Sequence, residues 1–185
     1  MAQTASNVTA AKPVVAGAIY VAPKGTTVPT DTDTALNSAF KSLGYVSEDG
    51  LTNDQSIDVE DIKAWGGAKV LSIVNEKNNT YQFTLIEALN PEVLKVVFGS
   101  GNVSGDLATG IDVTITDDDT EEYAWVVDMV MRNGAAKRIV VPDAKVTEIG
   151  SITYSDSAAV GYELTVTALN PSGTGYGHEY IKAAE

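Results

Sequence analysis

Few residues in this chain have the types and spacing that chemistry requires. Its one histidine, His178, lies in a glycine-rich stretch with no serine, cysteine or acid arranged around it in a known nucleophile motif, and reads as a surface or interface residue. The absence of cysteine excludes disulfides, thiolate zinc sites, iron–sulfur clusters and cysteine nucleophiles. The run Asp117-Asp118-Asp119-Thr120-Glu121-Glu122 imitates the first half of a calcium loop, with Asp128 at its twelfth position. Glu122, however, stands where the sharp turn of such a loop needs glycine, and the residues after it read as a strand. A solvated acidic turn is the expectation, with no metal and no cofactor. Any two of the 25 Asp and Glu side chains could converge as a glycosidase pair, but no spacing selects one. Gly99-Ser100-Gly101 lacks the lysine and the preceding strand of a phosphate-binding loop and reads as a helix stop. Trp65 and Trp125 could be flat platforms for a sugar, or buried or interfacial aromatics.

Charge is more informative. The net charge is −13, which repels nucleic-acid phosphates and argues against a basic nucleic-acid grip. Residues 31–61 hold eight carboxylates against Lys41, a net of −7, and residues 106–128 hold eight with no cation, a net of −8. The rest of the chain is therefore +2. Acidity is confined to two segments, a pattern that points to function more than a uniform charge would.

The elements that must position these groups are mostly strands. Ile111, Val113 and Ile115 alternate with Asp112, Thr114 and Thr116, the period of a sheet with two different faces. Tyr123, Trp125, Val127, Met129 and Met131 form one face of a strand whose other face carries Ala124, Val126, Asp128 and Val130. That strand is nearly apolar on both sides, so one face should enter the core and the other should pack under a helix or against a neighbouring molecule. Asn133-Gly134 supplies a type I′ turn, residues 136–141 return as the partner strand, Pro142-Asp143 breaks it, and residues 144–149 resume. Residues 14–22, fenced by Pro13 and Pro23, are expected as the first strand. Residues 24–42 have no clean period. Residues 43–47 and 51–57 are expected to pair across Glu48-Asp49-Gly50, and residues 69–75 and 80–88 across residues 76–79.

One helix stands out over residues 91–98. Asn90 can cap it, Pro91 fits its first position, Glu92 opposes its dipole, and Gly99 can take a left-handed conformation at its end. Val93, Leu94, Val97 and Phe98 share one face of it. There is also a faint repeat: Tyr81-Gln82-Phe83-Thr84-Leu85 followed by Ala88-Leu89-Asn90-Pro91 is echoed by Tyr162-Glu163-Leu164-Thr165-Val166 followed by Ala168-Leu169-Asn170-Pro171. It reads as two related hairpins within one fold, the extra residue of the first copy being taken up by a β-bulge. At 185 residues the chain is long enough to bury roughly 70% of its unfolded surface in a single domain. It has no run of about 18 apolar residues that could form a transmembrane helix, and residues 1–13 lack the apolar stretch of a secretory signal. The class is mainly β, a two-sheet sandwich or barrel with one short flanking helix.

The N-terminal half carries a recognisable combination. Gly17-Ala18-Ile19-Tyr20-Val21-Ala22-Pro23-Lys24-Gly25-Thr26-Thr27-Val28-Pro29, then Leu43-Gly44-Tyr45-Val46-Ser47-Glu48-Asp49-Gly50, then the helix after Ala88-Leu89-Asn90-Pro91, resemble in content and order the major tail tube proteins of long-tailed bacteriophages. The resemblance is best over residues 14–98 and continues through the C-terminal half by architecture more than by motif. It implies a subunit that forms hexameric rings stacked into a tube, the inner sheets joining into a barrel around a lumen through which DNA passes without specific binding. It also implies a virion protein made in the host cytoplasm, with no membrane anchor, whose partners are further copies of itself together with tape measure and tail terminator proteins. Carried onto this chain, the contacts between rings fall to the N-terminal arm 1–13, a long loop 47–67 and the C-terminal segment 171–185. Under this reading Asp112, Asp117, Asp118, Asp119, Glu121, Glu122 and Asp128 are candidates for the lumen or its rim, where carboxylates would repel a sliding polyanion. The alternative is that they keep the outer surface soluble. Candidate contacts between subunits are Trp65, Val126, Val130, His178 and Tyr180. Three other readings stand beside this one: a carbohydrate-binding sandwich using Trp65 and Trp125, a hydrolase using two carboxylates, and a capsid-decoration or other virion protein of related fold.

Overall fold

The expected type I′ turn at Asn133-Gly134 is instead a three-residue turn, Arg132-Asn133-Gly134, closed by hydrogen bonds from the Gly134 N–H to the Met131 carbonyl and from the Met131 N–H to the Ala135 carbonyl: only Gly134, at φ +86°, is left-handed, where type I′ needs two such residues, and the long strands on either side of it organise the molecule. The computed structural model describes residues 5–14, 18–173 and 175–184. In chain order the elements are β1 (Ala11–Pro13), β2 (Ile19–Pro23), β3 (Lys41–Ser42), β4 (Val46–Lys63), β5 (Lys69–Leu85), α1 (Pro91–Phe98), β6 (Val103–Asp106), β7 (Gly110–Val113), β8 (Glu122–Met131), β9 (Ala136–Ile149), β10 (Tyr162–Ala168) and β11 (His178–Lys182). The fold is mainly β, with two sheets and a single short α-helix among the described residues, as its sequence pattern predicts. The larger sheet runs β3-β2-β8-β9-β10-β5-β4, with β1 extending the β8 edge beyond β2 and β11 extending the β9 edge beyond β10. β6 and β7 form the smaller sheet.

The large sheet curls. Phe83 on β5 and Trp125 on β8 have two strands between them, which in a flat sheet spaces them by about 14 Å, yet their rings lie 5.9 Å apart. Inside the curl sit Ile19, Val127, Val141, Leu164, Val166 and Leu85, and α1 closes it with Val93, Leu94, Val96 and Val97. Each such aliphatic side chain contributes about 1.5–3 kcal/mol by leaving water, so four of them hold a helix of eight residues that would be unstable alone. Asn90 caps α1 by accepting from the Glu92 N–H at 3.0 Å. Gly99 ends it at a positive φ of +95° with ψ at 141°, an extended turn instead of the expected left-handed one, and its N–H returns to the Lys95 carbonyl.

The outer face of β8 is covered by the chain's own residues. The segment 24–40, aperiodic in sequence, folds back so that Phe40, Leu36 and Val28 pack over Ala124, Val126 and Val140. Strand β8 is therefore apolar on both faces because both are core.

Three expected breaks are strands. Glu48-Asp49-Gly50 is no hairpin turn: β4 runs through it, and a shift of register between Val46 and Leu51 against β5 makes it a bulge with Gly50 at φ +75°. Residues 76–79 continue β5 opposite 55–58, while the turn falls at Gly66 and Gly67, both at positive φ, since two glycines form a tight turn more easily than the Asn-Asn pair. The segment 47–67, expected as a loop, is thus a strand and the tip of a hairpin. Pro142-Asp143 is a bulge within β9, between the Trp125–Val141 and Tyr123–Ala144 pairs. On the opposite edge it falls between the reach of β11, which ends at Val140, and of β10, which begins at Ala144, so the missing proline N–H interrupts no ladder. The two copies of the repeat, β5 and β10, pair with each other. Of the expected first strand 14–22, residues 19–22 are strand and 15–17 lie outside the described residues.

Candidate assembly site

Strand β10 ends its pairing with β5 at Thr80, but β4 and β5 run on as a hairpin through nine further pairs or bulges to the turn at Ala64, whose N–H bonds the Ala68 carbonyl. At about 3.3 Å per residue this arm projects roughly 30 Å past the body. Cross-strand pairing places Ile57, Val59 and Val74 on the face continuous with the core, and Ile62, Leu71 and Ile73 on the other. All six are exposed, and Trp65 at the tip is fully so. Where the arm leaves the body, Asn53 donates to Asn79 and to the Thr80 carbonyl, and the Tyr176 hydroxyl donates to the Lys77 carbonyl. Near the tip, Lys69 pairs with Asp61, which also accepts from Ser72. Those two donors hold the Asp61 carboxyl below its ordinary range.

A second surface is the outward face of β4, β5, β10 and β9. It carries Thr52 and Asp54, then Thr80, Gln82 and Thr84, then Glu163, Thr165 and Thr167, opposite Glu148 and Lys145. These side chains are exposed or half-buried. The Thr147 and Thr167 hydroxyls bond each other at 2.8 Å, so this face is a field of hydroxyls with Asp54, Glu148 and Glu163 among them.

The acidic residues singled out by sequence scatter around the molecule. Asp112 lies exposed on β7. Asp117, Asp118 and Asp119 lie on the exposed approach to β8; Asp118 accepts from Thr116, and Asp119 takes two hydrogen bonds from Lys145, at 2.6 and 2.7 Å, which lower its pKa. Glu121 accepts from the Ser100 N–H and hydroxyl and from the Tyr123 hydroxyl; burial works to raise its pKa, and those three donors outweigh it. Tyr123 answers in kind, its hydroxyl pushed well up by burial and by Glu121. Glu122 pairs with Lys24, which also lies 2.8 Å from the buried Asp143. Asp128 is gripped by Arg138 through two bonds of 2.6 and 3.0 Å, and the same guanidinium donates to the Asp31 and Thr34 carbonyls. Asp119, Glu122 and Asp128 therefore serve the chain's own fold, while Asp112, Asp117 and Asp118 meet no cation among the described residues.

The expected contact residues also divide. Trp65 stands clear at the arm tip. Val126 is 0% exposed beneath the segment 24–40, so it touches the chain's own core and not a neighbour; its burial was hidden because the covering segment has no period. Val130 is half-buried on β8 beside Lys12 of β1. His178 is exposed on β11 and stacks on Tyr180 at 5.9 Å, and Tyr180 leans on the second core. Trp125, 3% exposed, cannot be a sugar platform.

The family model for phage tail tube proteins matches residues 1–183. The chain belongs to the phage tail tube protein family. No curated protein matches it. Membership of the tail tube family makes its role structural and places it in the virion tail; no helix among the described residues is long and apolar enough to cross a membrane. The match takes in the C-terminal half, where sequence motifs are weak. Two features of this tail tube protein escaped sequence reasoning. The apolar arm was concealed because acids interleave with Ile57, Val59 and Ile62, so the segment reads as an acidic stretch. The hydroxyl face was foreshadowed only by the alternation of Thr165 and Thr167 with Leu164 and Val166.

Proposed function

We propose that copies of this chain close into rings, six to a ring as the family resemblance implies, and that the rings stack into the hollow tail tube through which DNA passes. The observation that carries this reading is the arm: eight large apolar side chains, Val70 among them, stand exposed on a hairpin that touches little of its own subunit, which in water favours burial against another copy. The β4–β5 arm, the N-terminal segment 1–13 and the C-terminal segment 171–185 are the proposed contacts between rings; of these, residues 1–4, 174 and 185 lie outside the described residues.

The outward face of β4, β5, β10 and β9 is the proposed lumen wall. Threonine and glutamine keep such a wall wetted, and the lysine on it, Lys145, is occupied by Asp119, so little free cation faces a phosphate. Asp54, Glu148 and Glu163 add repulsion that salt screens beyond about 8 Å. A duplex can then slide without being held. The exposed Asp112, Asp117 and Asp118 belong to the rim of the ring. Tape measure and terminator proteins are the further partners that this role requires. Concentrated purified protein, viewed by negative-stain electron microscopy beside light scattering of the same sample, tests the proposal: hollow rings or tubes of uniform diameter support it, and a strict monomer that binds a glycan overturns it.

A further inference from the structure

Asp143 is a buried acid for which the tube reading has no use. The bulge in β9 leaves Pro142 exposed and turns Asp143 inward, where it is 6% accessible between the buried Val141 and Ala144. Both of its carboxylate oxygens are shut off from water, and neither accepts a hydrogen bond among the described residues. Burying a carboxylate in that condition is unfavourable, and in folded proteins nearly every such group is surrounded by donors. Its one close partner is Lys24, whose Nζ lies 2.8 Å from Oδ2.

Lys24 is placed by its own turn. Pro23 ends β2 opposite Tyr123, which in turn faces Ala144 across β8 and β9. The Pro23 carbonyl accepts from the Thr26 N–H at 3.1 Å and from the Thr26 hydroxyl at 2.7 Å. Between them Gly25 takes a φ of +85°, the left-handed conformation open to glycine. From there the side chain reaches Asp143, and the same Nζ donates to Glu122 Oε2 at the start of β8. One nitrogen and two carboxyl groups thus meet across three neighbouring strands.

That set of groups can do more than attract. An ammonium beside a carboxylate holds the same number of protons as an amine beside a carboxylic acid, and removal of water favours the neutral form. The amine is then a nucleophile, the acid has a hydroxyl to lose, and a second carboxylate on the same nitrogen can carry the remaining proton. We infer that Lys24 and Asp143 condense into an isopeptide bond, with Glu122 carrying the proton. The Lys24 nitrogen attacks Asp143 Cγ; Glu122 takes a proton from Nζ and delivers it to the departing hydroxyl, which leaves as water. One N–C bond forms and one C–O bond breaks, so an ammonium and a carboxylate become an amide and one water, with nothing oxidised or reduced. The Lys24 side chain is 49% exposed against 9% for Asp143, which gives the water a way out. The bond ties the end of β2 and the root of the covering segment to β9. In a chain with no cysteine it is a covalent tie that reducing conditions do not open. Once joined, Lys24 no longer titrates, so only the unjoined chain loses stability through it in strong alkali.

Intact-mass spectrometry of the full chain in denaturant, followed by digestion with trypsin, tests the bond. The expected chain is lighter by one water and yields a branched peptide in which Lys24 is uncut and joined to Asp143. Lys24→Arg, which keeps a cation beside both acids, should have its full mass. Glu122→Gln should slow the appearance of the branched peptide in freshly made protein about 100-fold or more; an unchanged rate overturns the role of Glu122. Folded wild-type protein of full mass, cut by trypsin after Lys24 and with Asp143 in a linear peptide, overturns the bond. A loss of water located elsewhere, such as a succinimide at Asp49-Gly50, overturns it too. None of these results bears on whether copies form a tube, which microscopy of the same sample reads separately.

Discussion

Arg138 shows why single residues in this protein have to be read with their neighbours. Its guanidinium holds the Asp128 carboxylate and two carbonyls of the covering segment, with side chains 9% and 16% exposed. Removing one partner of so desolvated a pair leaves the other uncompensated, so Arg138→Ala should cost about 3–5 kcal/mol in urea unfolding. Replacing both, Arg138→Met with Asp128→Leu, should cost less than the single change. Val126→Asp places a charge in the second core and should unfold the monomer, losing about 3 kcal/mol or more in the same measurement, instead of sparing the fold and blocking assembly. The lowered carboxyls of Asp61, paired with Lys69, and Asp119, paired with Lys145, bind protons more weakly folded than unfolded. Their stabilisation is present above the unfolded value of about 4 and disappears as pH falls through the lower folded values. Lys24, raised by its bonds to Asp143 and then Glu122, contributes below about pH 10.4 and loses that contribution as pH rises through its raised value. Melting temperature should therefore be level from pH 5 to 8, dropping below pH 4 and again in strong alkali.

At the scale of elements, the arm and the body are separable. Replacing residues 55–79 by Asn-Gly should leave a body that melts cooperatively, because the core residues Leu51, Tyr81 and Phe83 lie outside the replaced segment and are kept, and the shortened protein should not form tubes. Asn90→Ala should destabilise the body by about 1 kcal/mol through loss of the α1 cap. The bounds of that helix were legible in sequence because the signals for them are local, a cap, a proline and a glycine, although Gly99 ends it in an extended turn and Val96 joins the buried face. The arm was not. Glu48-Asp49-Gly50 makes a turn and a bulge from the same residues, and only the unbroken partner strand 76–85 decides between them. Pro142 likewise looks like a stop until β10 and β11 are seen to leave a gap beside it. The second core was illegible for the related reason that a covering segment without regular structure leaves no period in its sequence. Of the site residues, Trp65 could be read as an outward aromatic, whereas the pairing of Asp128 with Arg138 depends on strand register, which the β8–β9 turn sets but composition does not reveal.

For the whole molecule, the concentration of acid into two segments divides into three physical uses. Some carboxylates tie the fold, as Asp61, Asp119, Glu122 and Asp128 do. Some stand exposed at the end of the sheet away from the β8–β9 turn, as Glu48, Asp49 and Asp117 do. One, Asp54, stands on the hydroxyl face proposed as the lumen wall. Because salt screens exposed charge and not the buried cores that carry most of the stability, the monomer's melting temperature should change little between low and high salt, which thermal melts at both conditions read. The most direct measurement of the central claim is a cryo-electron microscopy reconstruction of assembled protein. It should show a hollow tube of stacked rings, with Gln82, Thr165 and Thr167 lining the channel and the β4–β5 arm buried against another copy. A solid filament, or a channel lined by other faces with the arm free in solvent, would contradict it.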